Sequence, residues 1–172
     1  MGARLTLVIG GARSGKSRYA ESLITALPPP WIYVATAQAL DAEMAARIGA
    51  HQARRGAGWT TIEAPCDLAG MIAAQGETPV LIDCLTLWLS NLLLADADCD
   101  GEIGRLDQVL ARAAAAPVVC VSNEVGLGIV PDNALARRFR DLQGLLNQKI
   151  AARADRVVLM VAGLPLTVKG SP

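Results

Sequence analysis

Gly10-Gly11-Ala12-Arg13-Ser14-Gly15-Lys16-Ser17 satisfies G-x-x-x-x-G-K-[ST], the spacing of a phosphate-binding loop. Gly10 and Gly15 let the backbone turn and approach an anion closely. The loop's N–H groups form a nest, backed by the positive end of the helix that follows. Lys16 places a point charge at the β and γ phosphates, and Ser17 can offer its hydroxyl to Mg2+. Such a loop specifies a nucleotide with phosphates and leaves the base and the reaction open.

Two further features could act on that nucleotide. Asp83 closes the apolar run in PVLIDCLT, residues 79–86. This is the Walker-B pattern, a carboxylate supporting Mg2+ from the strand beside the loop strand. A cap on the following helix is the competing reading, and the phosphate loop tips the balance toward metal support. The other feature is His51, the single histidine, within DAEMAARIGAHQARR, residues 41–55. Helical spacing puts Arg47 and His51 on one face, and Arg54 and Arg55 follow by three and four. A neutral imidazole is a competent nucleophile toward phosphorus, and nearby arginines would hold it neutral. Taken by themselves these residues more readily describe a solvated basic helix end with an incidental histidine.

The elements that must position these groups follow from the apolar pattern. Runs at 5–9, 31–35, 59–63, 79–83, 117–122 and 156–161 read as strands, with Val168-Lys169 as a short edge strand. Helical patterns occupy about 18–26, 41–54, 67–75, 85–95, 102–115 and 132–154. Alternation of this kind predicts an α/β fold with a mainly parallel sheet covered on both faces. In such a sheet the loops after the strands' carboxyl ends build the site. SNEVGLGIVPDN, residues 122–133, is one of these, with Asn123 and Glu124 at the edge.

Length and composition set the frame. A chain of 172 residues suits one domain over 1–172. Hydrophobic residues make up 52% and aromatics 3%, so the core must be aliphatic. Sixteen basic residues balance sixteen acidic ones, which gives no overall steering toward nucleic acid or an anionic membrane. The run 81–95 is short and broken by Asp83 and Asn91, so no membrane span is expected. Cys66, Cys84, Cys99 and Cys120 form no CxxC pair, which argues against structural zinc and for a reducing cytosol. The first residues lack the apolar segment of a signal peptide, and a cytoplasmic location is the expectation. No N-K-x-D occurs, which counts against a switch GTPase.

Several segments converge on one family. GGARSGKSRYAE, VATAQALDAEMAARIGAHQARR, WTTIE, LIDCLTLWLSNLL, NEVGLGIVP and LARRFRDLQGLLNQKIAARAD together resemble the bifunctional adenosylcobinamide kinase / adenosylcobinamide-phosphate guanylyltransferases of cobalamin biosynthesis. The likeness runs from about residue 5 to 169. It implies a RecA-like P-loop NTPase fold, a three-layer sandwich. It also implies a two-step enzyme, which phosphorylates adenosylcobinamide from ATP or GTP and then moves GMP from GTP to adenosylcobinamide phosphate. The second step would pass through a GMP–histidine and release pyrophosphate.

Carried onto this chain, the resemblance makes His51 the guanylylated residue and Lys16 its catalytic partner in the loop. Gly10, Gly11, Ala12, Arg13, Ser14, Gly15, Lys16 and Ser17 bind the nucleotide, with Thr36, Ala37, Arg54, Arg55, Glu63 and Asp83 as further contacts. Ser17 and Asp83 fall to Mg2+. Asp83 stands where some relatives carry Glu, and Ala37 where a Ser can occur, which leaves Thr36 the firmer contact. The resemblance further implies a homotrimer, for which the apolar segment LTLWLSNLLLA is the expected surface. A P-loop kinase for another small hydroxyl compound, without guanylyl transfer, and a nucleotide-binding regulatory module remain the alternative readings.

Overall fold

The computed structural model describes residues 3–39, 42, 45–46, 48–49, 53, 55–112 and 116–171. The helix expected over 41–54 falls largely outside them, and so do Arg47, His51 and Arg54. The described positions of that stretch, Ala42, Ala45, Ala46, Ile48, Gly49 and Ala53, are helical.

The chain runs β1 (Leu5–Gly10), α1 (Lys16–Thr25), β2 (Trp31–Ala35), β3 (Trp59–Glu63), α2 (Leu68–Ala73) and β4 (Val80–Asp83). It continues with α3 (Leu85–Leu94), α4 (Cys99–Arg112), β5 (Val118–Asn123), α5 (Ala134–Arg153), β6 (Arg156–Val161) and β7 (Leu164–Lys169). All seven strands join one sheet in the order β3-β2-β4-β5-β1-β6-β7. Every pairing is parallel except β6 with β7.

The strands are apolar on both faces because both faces are covered. Leu5, Leu7, Val34, Ile82 and Cys120 face the side packed by α2 to α5, whose Leu68, Trp88, Leu106, Leu146 and Ile150 meet them. Val8, Tyr33, Leu81, Val121 and Val158 face the other side, where α1 supplies Ala20 and Ile24. Nearly the whole core is aliphatic, as the composition requires.

Four expectations need correction. The strand bearing Asp83 is not beside the loop strand, because β5 lies between β4 and β1. Helix α1 packs over β1, β5 and β4, so the connection from β1 lands beyond the positions those later strands fill. The segment expected as a surface between copies is α3, and its Leu85, Trp88, Leu89 and Leu92 are core residues, leaving Leu94 exposed. Helix α4 starts at Cys99 rather than 102, because the Asp98 carboxylate accepts the Gly101 N–H at 3.1 Å and caps the first turn. The edge strand is six residues long rather than two. Ala162 and Gly163, with φ of 51° and 84°, form a two-residue hairpin turn of the primed kind.

Candidate active site

Strand register gathers the predicted groups along one edge of the sheet. Gly10 is level with Asn123, Asp83 with Val121 and Ala35, and Ala35 with Glu63. Reading across the carboxyl ends, the order is Glu63, Ala35, Asp83, Asn123, Gly10. With strands about 4.8 Å apart and Gly10 two residues further along than Asp83, the two start roughly 12 Å from each other at the backbone, and long side chains must close that gap.

The phosphate loop is built for close approach. A Cβ on Gly10 would lie 2.6 Å from the Met160 carbonyl oxygen and 2.8 Å from Ser14 Oγ, so only glycine fits. Gly15 sits at φ 93° as the N-cap of α1, a left-handed conformation that glycine adopts without penalty. Gly11, Ala12 and Arg13 are exposed, whereas Ser14 is buried and its hydroxyl has no partner. The hairpin turn after β6 braces the loop from behind, with the Gly163 N–H donating to the Ser14 carbonyl at 3.0 Å.

Lys16 is 8% exposed and folds back to donate to the Gly11 carbonyl. Burial pulls its ammonium below its ordinary pKa, against the opposing influence of Cys84 and Asp83. The Cys84 thiol is itself pushed up to about 11 by burial. It stays protonated at neutral pH, so the countercharge that matters is Asp83. Ser17 is the next residue of the helix and half-buried.

Asp83 is half-buried at the end of β4 and accepts the Tyr33 hydroxyl at 3.0 Å. Burial and the Asp83 charge together hold that phenol protonated. The Arg55 guanidinium stacks 3.5 Å from the Tyr33 ring centroid, and its Nη1 is buried without a partner. Trp59 closes on Tyr33 edge-on at 6.1 Å. A cation, an aromatic ring and a carboxylate thus run in sequence from Arg55 to the strand end. A guanidinium nitrogen with an unmet donor is suited to an anion. Glu63 is exposed at the end of β3, one strand beyond Ala35, and Ala37 is half-buried after β2.

Thr36 is fully buried, and its hydroxyl works within the protein. It donates to the Cys84 carbonyl at 2.7 Å and accepts the Cys84 N–H at 2.8 Å. The Asn91 side chain reaches from α3 to donate to the carbonyls of Thr36 and Pro65, at 2.8 and 3.0 Å. Removing the Thr36 hydroxyl would strand the Cys84 N–H, while the Cys84 carbonyl keeps the Trp88 N–H at 3.2 Å. Thr36→Val should therefore cost about 1–3 kcal/mol of stability, read by urea unfolding, while Thr36→Ser stays close to the parent. Equal midpoints for the two variants would remove this role.

Sequence reasoning overlooked Tyr33, Asn91 and the support behind Asn123. Asn91 carried a signal, as one of three polar residues, with Thr86 and Ser90, in a helix otherwise made of Leu and Trp. The Asn123 N–H donates to Thr86 Oγ1 at 2.7 Å, and its carbonyl accepts from Asn147 Nδ2 at 3.0 Å. Asn147 is in turn locked to Ser122 and Gln143, all three buried.

A family model described as cobinamide kinase / cobinamide phosphate guanyltransferase matches residues 6–168. The chain belongs to this family. Two curated relatives agree along nearly their full length. The chain is 49% identical to the bifunctional adenosylcobalamin biosynthesis protein CobP of Pseudomonas aeruginosa, covering 96% of this chain and 98% of that protein. It is 44% identical to the bifunctional adenosylcobalamin biosynthesis protein CobU of Salmonella typhimurium, over 96% and 99%. The fold is also that of P-loop NTPases. An ATPase from the type III secretion system of pathogenic bacteria superposes with TM-score 0.59 at 12% identity, over 95% of this chain and 56% of that one. The RadB recombinase gives 0.52 at 15% identity, over 90% and 73%.

In this cobinamide kinase family member, Ser17 and Asp83 are one hydroxyl and one carboxylate, donor types that would suit an ion keeping water and phosphate oxygens as its other ligands.

Proposed function

We propose that this chain performs two successive transfers at one nucleotide site. The first phosphorylates the aminopropanol hydroxyl of adenosylcobinamide from ATP or GTP. The second moves GMP from GTP to the new phosphate and gives adenosylcobinamide-GDP and pyrophosphate. The observation that carries this reading is a complete phosphate loop facing Asp83 across the carboxyl edge of the sheet, in a member of this family.

In the first transfer the loop and Lys16 hold the β and γ phosphates; the acceptor oxygen attacks the γ-phosphorus, the bond to the β–γ bridging oxygen breaks, the nucleoside diphosphate leaves and the hydroxyl proton passes to solvent. Mg2+, held through Ser17 and Asp83, would neutralise part of the triphosphate's charge. In the second, a nitrogen of His51 attacks the α-phosphorus, a P–N bond forms and pyrophosphate leaves. The phosphate oxygen of the acceptor then attacks the same phosphorus, and the P–N bond breaks to return the histidine. The half-buried Arg55, with its unmet donor, is placed to balance charge on the nucleotide. Arg54, Glu63, Thr36 and Ala37 complete the contacts, with Thr36 acting through Cys84. A cytoplasmic location belongs to the same reading, and four unpaired cysteines support it. So does a homotrimer, with the exposed Leu164, Leu166 and Val168 of β7 available to another copy and sedimentation velocity as the test.

Incubation with GTP labelled at the α-phosphate, followed by denaturing electrophoresis, tests the core of the reading. Acid-labile label should remain on the protein and leave on addition of adenosylcobinamide phosphate. Phosphorylated cobinamide without protein label would instead indicate a small-molecule kinase lacking guanylyl transfer.

A further inference from the structure

We infer that the loop between β5 and α5 is the platform on which the corrinoid docks, an assignment that rests on the reading above. Its tip is unusually apolar for open surface. Leu127 is 90% exposed, Ile129 97% and Val130 63%, three aliphatic side chains within four residues. Single exposed aliphatics are ordinary, but a contiguous group marks a binding surface.

The tip is also held in place. Glu124 accepts the Gly126 N–H, and Arg140 donates to the Gly126 carbonyl at 2.6 Å. Arg137 donates to the carbonyls of Pro131 and Asp132, at 3.0 and 2.6 Å. Side chains spent on backbone carbonyls fix the loop while its apolar groups remain in water. Such an arrangement costs free energy unless a ligand covers it.

What covers it follows from where the loop starts. The Glu124 N–H donates to the Gly10 carbonyl at 3.0 Å, so the loop leaves the sheet at the very residue that opens the phosphate cradle. A molecule resting on this tip lies on the segment that begins beside the phosphate loop. Cobinamide matches both demands: its macrocycle carries methyl groups across its faces and amides on its rim, and its reacting hydroxyl hangs on a flexible arm. The aliphatic tip suits the faces, and the hydroxyl need span only the distance to the loop.

The test compares Leu127→Ser/Ile129→Ser with Leu127→Met/Ile129→Val. The serine pair should raise KM for adenosylcobinamide at least tenfold and weaken its retention in equilibrium dialysis, followed by the corrinoid's own absorbance. The conservative pair should stay within about threefold of the parent. GTP-dependent labelling of the protein should stay within about twofold in both. An unchanged KM in the serine pair overturns the platform, as does a shift to a smaller species in sedimentation, which would mean that a second copy covers the tip. If the parent itself takes no label, the histidine step fails while the dialysis arm still decides the platform.

Discussion

Lys16→Met should slow both transfers by about a thousandfold while leaving the empty protein at least as heat-stable as the parent. The two halves of this expectation have one cause. Lys16 is buried, and burial lowers its pKa from the ordinary 10.5. Folding therefore costs free energy wherever the unfolded lysine is charged, and the cost fades as pH rises toward the unfolded value. Methionine fills similar space without a charge to desolvate. A bound triphosphate reverses the balance, because its oxygens supply the countercharge that Asp83 only partly provides. In the parent, GTP with Mg2+ should raise the melting temperature; in the variant the rise should shrink to a small remainder. The stability gap between the two empty proteins should also narrow as pH rises through the lowered folded pKa toward 10.5. A variant that melts well below the parent without nucleotide would mean that the Lys16 bond to the Gly11 carbonyl matters more than the buried charge. Loss of only one transfer would argue against a shared site.

The sequence exposed the parts of this site that are contiguous and concealed those assembled from a distance. Eight adjacent residues carry the phosphate loop, so their spacing reads directly. Most of the parallel strands were legible because burial on both faces turns them into apolar runs, while β3, WTTIE at the exposed edge of the sheet, gave a weaker signal. Their spatial order was not, since periodicity says nothing about which strand lies beside which; hence Asp83 was expected one strand too close to Gly10. Strand β7 was hidden by Pro165, tolerated only because this is the sheet's edge, and by a turn that needs Ala162 at positive φ. Helix α3 carries Leu or Trp at seven of its ten positions, a pattern that belongs to a core helix rather than a contact surface.

The deeper layer of the site explains why its polar residues read as noise. Thr36 meets Cys84 across 48 positions, and Asn91 meets Thr36 across 55. Gln143, Asn147 and Ser122 form a buried network whose outlet is the Asn123 carbonyl. Among these bonds, those to the Cys84 N–H and the Asn123 carbonyl satisfy backbone groups at or just past strand ends. These residues hold the edge of the sheet rigid from behind. A transfer reaction needs that rigidity, since reacting atoms must be held within about an ångström of their working positions.

His51→Ala should reduce acid-labile GMP on the protein to background and slow guanylyl transfer by on the order of 10⁴-fold or more, with phosphorylation of adenosylcobinamide within about fivefold of the parent. A histidine nucleophile is distinguishable by its bond. A phosphoramidate breaks in acid and survives base, whereas a serine or threonine phosphodiester survives acid. His51 is the single histidine of the chain, so a protein-bound phosphoramidate on imidazole has no other address here. Double displacement adds a second signature. The parent should exchange labelled pyrophosphate into GTP without any corrinoid, because the first half-reaction is complete in itself and reversible. The variant should lose that exchange while keeping γ-phosphoryl transfer, which uses the phosphate loop and Asp83 but no covalent intermediate. Acid-labile GMP persisting on the alanine variant would move the nucleophile elsewhere. Retained guanylyl transfer with no protein label and no exchange in the parent would replace double displacement by direct attack of the acceptor phosphate.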